Sequence, residues 1–135
     1  MTQPSSILLA QHLLAAIGEQ APAELVAAMF SDDASFEIPG DDGVLPWIGH
    51  RTGRQAVVDF IIGIQTLTEP LAFDVVDILA NDTHAVIVGE LATRIKATDK
   101  VVETDFAIIL TTSGGLITRF QMLEDSFAVS RAARM

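Results

Sequence analysis

At 135 residues and 14.4 kDa the chain has material for one domain spanning 1–135, because dividing it would leave neither part able to bury its own core. Hydrophobic residues make up 50% and charged residues 19%, with mean hydropathy +0.41, a balance that excludes intrinsic disorder. Eighteen acidic residues against eight basic ones give a net charge of −10, which repels phosphate backbones and anionic lipid, so neither nucleic acid nor membrane is expected as a partner.

In chain order, Ile7, Leu8, Leu9, Leu13, Leu14 and Ile17 recur at helical spacing. They predict a helix over 5–17 that Ser5 or Ser6 can cap. Pro22 followed by Leu25, Val26, Met29 and Phe30 predicts a second, shorter helix ended by Asp32-Asp33. Residues 34–38 alternate, with Phe36 and Ile38 on one face, and Pro39-Gly40 stops that strand. A long loop over 41–52 follows, then a third helix over 54–66 with Val57, Phe60, Ile61 and Ile64 as its apolar stripe; Glu69-Pro70 closes that region.

The second half is β-rich. Runs over 73–79, 85–95, 101–111 and 116–125 are separated by Asn81-Asp82, Thr98-Asp99 and Ser113-Gly114-Gly115, the turn chemistry of an antiparallel meander. Pairing Thr112 with Leu116 sets Phe106 opposite Met122, Ile108 opposite Phe120 and Thr104 opposite Glu124. The preceding hairpin sets Leu91 opposite Phe106 and Thr93 opposite Thr104 on the same face. Arg94, Glu103 and Asp125 then cluster on the other face. That outward face also carries Ala92, Ala107 and Leu123, more apolar surface than a solvated face needs, and predicts a homodimer formed through it.

The order of these segments carries a resemblance. Met29-Phe30-Ser31-Asp32-Asp33-Ala34-Ser35-Phe36 with Ile38-Pro39-Gly40 comes first, then Pro46-Trp47-Ile48-Gly49-His50-Arg51-Thr52-Gly53 with Ala56-Val57 and Phe60. Gly115-Leu116-Ile117 then leads to Leu123-Glu124-Asp125-Ser126-Phe127-Ala128. Over nearly its whole length the chain resembles the nuclear transport factor 2-like superfamily, in its SnoaL-like and ketosteroid isomerase-like branch. The resemblance implies an α+β cone: a strongly bent antiparallel sheet wrapped around N-terminal helices, a cystatin-like α+β roll, with a deep apolar pocket and commonly a homodimer. The branch's known catalytic residues do not transfer. A steroid isomerase's carboxylate base falls on Ile38, its tyrosine near Leu13 and its carboxylic acid on Ala107 or Ile108, and the chain has no tyrosine. A polyketide cyclase's aspartate and histidine fall on Met122 and Phe120.

The candidate residues are therefore this chain's own. Glu124 is the carboxylate on the pocket face, where apolar neighbours would raise its pKa toward general-base range; a solvated or paired charge at the rim is the plain alternative. His50 is a candidate proton donor or acceptor, or else a surface loop residue, and Trp47 a ligand wall or a packing plug. Phe36, Ile38, Phe60, Leu91, Phe106, Ile108, Phe120 and Met122 would line the pocket with them. His12 and His84 read as a helix-boundary or subunit-contact residue and an exposed turn residue, and Asp41-Asp42 as a solvated acidic turn. With no cysteine, phosphate loop, dinucleotide fingerprint or Gly-x-Ser-x-Gly elbow, no metal or other cofactor and no serine triad is expected. The expected ligand is a small hydrophobic molecule, with isomerase- or cyclase-like proton transfer and non-catalytic binding both open. No apolar run approaches the roughly 20 residues of a membrane helix. With no basic signal-like segment either, the expected location is cytoplasmic.

Overall fold

In the computed structural model, which describes residues 5–135, the N-terminal stripe forms α1 (Ser5–Gly18), burying Ala10 and Leu13. Ser6 is not a cap. It lies fully buried within the helix, and its hydroxyl donates to the carbonyl oxygen of Asn81, pinning α1 to a distant turn. Pro22 is the N-cap of the one-turn helix α2 (Ala23–Ala27). Phe30 does not finish that helix; it opens β1 (Phe30–Ile38), and Asp32-Asp33 are exposed residues of the strand. The reason is tertiary: β1 runs parallel to β6 (Leu116–Glu124) with Phe30 opposite Ile117, and Arg54 Nε donates to the Phe30 carbonyl at 2.8 Å.

The expected long loop contains a short strand, β2 (Gly49–Thr52), paired antiparallel with β1 so that His50 stands opposite Glu37. The third helix, α3 (Arg54–Leu67), forms as the apolar stripe requires and buries Ala56, Val57, Phe60 and Ile61. The next strand, β3 (Thr68–Ala80), starts before Glu69-Pro70 instead of after it. Proline is tolerated there because β3 is an edge strand. With β4 (His84–Ile95) and β5 (Lys100–Ser113), the meander continues antiparallel into β6. The six strands lie in the order β2-β1-β6-β5-β4-β3, a curled and unclosed sheet with one parallel pair in it, holding α1 and α3 against its inner face. A last helix, α4 (Ser126–Ala133), follows directly, beyond the elements the sequence pattern predicts.

The strand registers are displaced two residues from those expected. Phe106 faces Glu124, Ile108 faces Met122 and Leu110 faces Phe120; Gly89 faces Phe106, Leu91 faces Thr104 and Thr93 faces Val102. Gly114 and Gly115, both at positive φ, close the last hairpin between Ser113 and Leu116, and a bulge near Thr118 restores the pairing. An even displacement exchanges no faces, so Leu91, Phe106, Ile108, Phe120, Met122 and Glu124 still share the inner one. The outward cluster of Arg94 with Glu103 and Asp125 does not form. Arg94 bonds Glu69 and Asp99, each at 2.8 Å, while Asp125 caps α4 by accepting from the Ala128 amide at 3.0 Å.

At Gly89 β4 is packed too closely against β3 for a side chain. A Cβ there would overlap the Asp74 carbonyl oxygen and stand 2.9 Å from the Phe106 ring. Buried side chains form two separate groups. The main core joins α1, α2 and α3 to the inner sheet face, and a satellite of Leu45, Ile95, Val102, Val129 and Ala132 sits under α4.

Candidate functional site

The inner row of β5 runs Val102, Thr104, Phe106, Ile108, Leu110. Val102 belongs to the satellite and Phe106 onward to the main core; Thr104, half-buried, lies between them. Neighbouring strands repeat the break. On β4, Ile95 is in the satellite and Ile87 in the main core, with half-buried Leu91 and Thr93 between; on β6, Met122 is core and the next inward residue is Glu124. Thr93, Thr104 and Glu124, with Leu91 packed on the main core beside them, thus form a seam across the inner sheet face between the two cores. Trp47 packs against both groups. Its ring stands edge-on to Phe60 at 6.0 Å and lies over Gly63, where a Cβ would come within 2.8 Å of it.

Glu124 is the chemically unusual group in the seam. No cation or hydrogen-bond donor reaches its carboxylate among the described residues, and burial alone pushes its pKa up to about 7. Phe106 stands directly across from it on β5, with its ring stacked on Phe73 at 4.8 Å. The Thr104 hydroxyl is already engaged: it donates to the Asp105 carbonyl at 2.7 Å and accepts from the Asp125 amide at 2.9 Å, fixing the chain just after Glu124. A carboxylate placed this way is near-neutral in its proton affinity, which suits it to taking and returning a proton at physiological pH.

The other expected site residues separate into two sets. Leu91 and Phe106 lie at the seam, while Trp47 packs on both buried groups. Phe36, Ile38, Phe60, Ile108, Phe120 and Met122, expected to line a pocket, instead fill the interior against one another, none more than 9% exposed. The Phe36 and Phe120 rings stack at 4.6 Å, and Phe60 stands 5.2 Å from Phe36 and 6.0 Å from Phe120, so these side chains are core beneath the seam. His50 is excluded from the site. Pairing opposite Glu37 turns it to the outer sheet face, where it is exposed and its Nε2 lies 2.9 Å from Ser35 Oγ, on the other side of the sheet from Glu124.

His12 is exposed on α1, and His84 is exposed beside the Thr83 hydroxyl. Asp41 is not a free turn residue: it accepts from Ser130 Oγ and Arg134, each at 2.6 Å, and these bonds hold its pKa below the ordinary value. No group of three or more His, Asp or Glu among the described residues is arranged to hold a metal. Thr93 and Thr104 fall on the inner face, as strand alternation predicts. The signal that marks them is that both interrupt an otherwise apolar inward row.

An open trough of about 900 Å³ is lined by the outward Ala72, Ala92, Ala107 and Leu123 with Asp74, Glu90, Glu103, Asp105 and Asp125, and also by Leu91, Thr104, Phe106 and Glu124 of the seam. No described helix is long and apolar enough to cross a membrane.

A bent six-stranded sheet around N-terminal helices is the architecture of the nuclear transport factor 2-like proteins. Residues 10–120 match the SnoaL-like domain, and the chain belongs to that family. An NTF2-like protein from Burkholderia xenovorans superposes with a TM-score of 0.87 at 21% identity, over 99% of both chains. A provisionally assigned isomerase from Rhodopseudomonas palustris gives 0.78 at 20% identity over 98% of both. A provisionally assigned SnoaL-like polyketide cyclase from Mesorhizobium loti gives 0.70 at 17% identity, covering 87% of this chain and 97% of that one. These likenesses show a common fold. No curated protein matches the chain.

Proposed function

We propose that the chain binds a small hydrophobic carbonyl compound at the seam and moves a proton on it, with Glu124 as general base. The observation that supports this reading is a carboxylate raised to about 7 by burial, without a neutralising partner among the described residues, beside the apolar surfaces of Phe106 and Leu91. Glu124 takes the proton from the carbon next to the carbonyl, leaving an enolate, and returns it to the same or a conjugated carbon. The indole N–H of Trp47 is the polarising donor in this reading. Proton transfer of this kind fits the provisional isomerase and cyclase names that two of its structural neighbours carry. The protein acts as a homodimer joined across the outer sheet face.

Deuterium exchange tests the reading without a known substrate. A panel of enolisable apolar ketones in D₂O, followed by NMR, should show accelerated α-deuteration by the wild type. Glu124→Gln should return it to the buffer rate, a loss of roughly 10²- to 10⁴-fold. Equal rates for the two proteins would leave the non-catalytic binding module as the better reading.

A further inference from the structure

We propose that the strap 39–48 and helix α4 form a two-piece clasp over the seam, and that its opening admits ligand to Glu124. The inference rests on the seam being the ligand site, and it adds how that site is reached. The satellite group is where the clasp meets the sheet: Leu45 from the strap and Val129 and Ala132 from α4 pack on Ile95 and Val102 at the β4–β5 hairpin end. Only Val129 and Ala132 of the helix are buried, while Phe127 is 71% exposed. A contact this small holds an eight-residue helix weakly, and elements with few buried apolar contacts open at a fraction of the global unfolding free energy.

The remaining ties are polar and lie at the rim. Thr98 Oγ1 donates to the Ala132 carbonyl at 2.5 Å and Lys100 Nζ to the Arg134 carbonyl at 2.6 Å. Asp41 joins the two pieces to each other through Ser130 and Arg134. The Lys100–Arg134 and Arg134–Asp41 bonds are exposed and exchange readily with water, while Thr98–Ala132 and Ser130–Asp41 are part-buried, so the ties latch the clasp without locking it. The strap and helix also touch at Gly40, where a Cβ would stand 3.5 Å from Ser126 Cβ and 3.2 Å from Ile48. The hinges are visible at both ends. Gly49 has φ of +123° where the strap enters β2, and on the other side only Asp125 separates Glu124 from α4. Displacing α4 therefore begins at the residue beside the carboxylate and uncovers the break between the two cores.

The absence of cysteine allows a clean test. In the Asp41→Cys/Ser130→Cys variant the only two thiols are joined by a short bifunctional methanethiosulfonate, which dithiothreitol removes. Nile red is the probe of the seam, and acrylamide quenching of Trp47, the single tryptophan, reads clasp opening directly. Joining should weaken Nile red binding about tenfold or more, by depleting the binding-competent state. It should also lower the quenching constant, and dithiothreitol should reverse both. Unchanged quenching in the joined protein overturns the clasp. Lowered quenching with Nile red binding unaffected supports the clasp and overturns the seam as the ligand site. If that variant fails to fold, Thr98→Cys/Ala132→Cys joins α4 to the hairpin and gives the same readouts.

Discussion

Glu124 carries two roles that oppose each other. Its folded pKa, about 7, exceeds the ordinary 4.5, so the protein binds the proton more tightly when folded than when unfolded. Below pH 4.5 the carboxyl is protonated in both states and costs nothing. Between 4.5 and 7 the unfolded chain ionises while the folded one resists, so a penalty accumulates; above 7 it stays constant. Glu124→Gln should therefore match the wild type in urea denaturation near pH 4 and exceed it at pH 8 by about 1–3 kcal/mol, the range expected once partial solvent contact is discounted. A variant less stable than wild type at pH 8 would mean that the carboxylate is held by a favourable partner. The sequence placed Glu124 on the inner face because alternation along β6 is a local property. It misplaced His50 because the face of a four-residue strand is set by its partner, and β2 has too little pattern of its own to reveal one.

The long strands were legible as elements; their ends and registers were less so. Turn residues located the three hairpins, but the two-residue Gly114-Gly115 turn and the bulge after it moved the pairing by two positions. The inner face survived because the displacement is even. Helical spacing continues through Met29 and Phe30, so the sequence predicts a helix ending at Asp32-Asp33. The competing strand exists only through β6, more than eighty residues away in the chain. At the bend of the sheet, Gly89 has a more demanding requirement than any turn glycine here, since its neighbours are backbone and a packed ring. Gly89→Ala should lower stability by about 1–3 kcal/mol in chemical denaturation, because the added methyl must push β3 off β4 or displace Phe106. No measurable loss would show that β3, an edge strand, shifts freely.

At the scale of the molecule, charge governs association. The outward lining of the trough combines small apolar residues with Asp74, Glu90, Glu103, Asp105 and Asp125, none of which is in a salt bridge among the described residues. Beside it, β3 exposes Leu71, Val76 and Leu79 along the sheet edge. A homodimer across this face gains apolar contact and loses to repulsion between two acidic surfaces. Its association constant should rise with salt as screening shortens the range of that repulsion, which sedimentation equilibrium at low and high ionic strength will measure. Leu123→Glu should weaken it further, and a monomer at every salt concentration would place the interface elsewhere or remove it.

The sequence by itself determined the class of fold, the helices α1 and α3, the β3-to-β6 meander and the inward face of Glu124. Each follows from periodicity, turn chemistry or segment order that neighbouring residues express locally. The parallel β1–β6 pair, the outward turn of His50, the aromatic residues packed as core and the seam under α4 came only with the tertiary structure. They depend on which surfaces meet after the chain has folded back on itself. The Val129–Val102 grouping and the Asp41–Ser130 bond join positions whose own neighbours give no sign of each other.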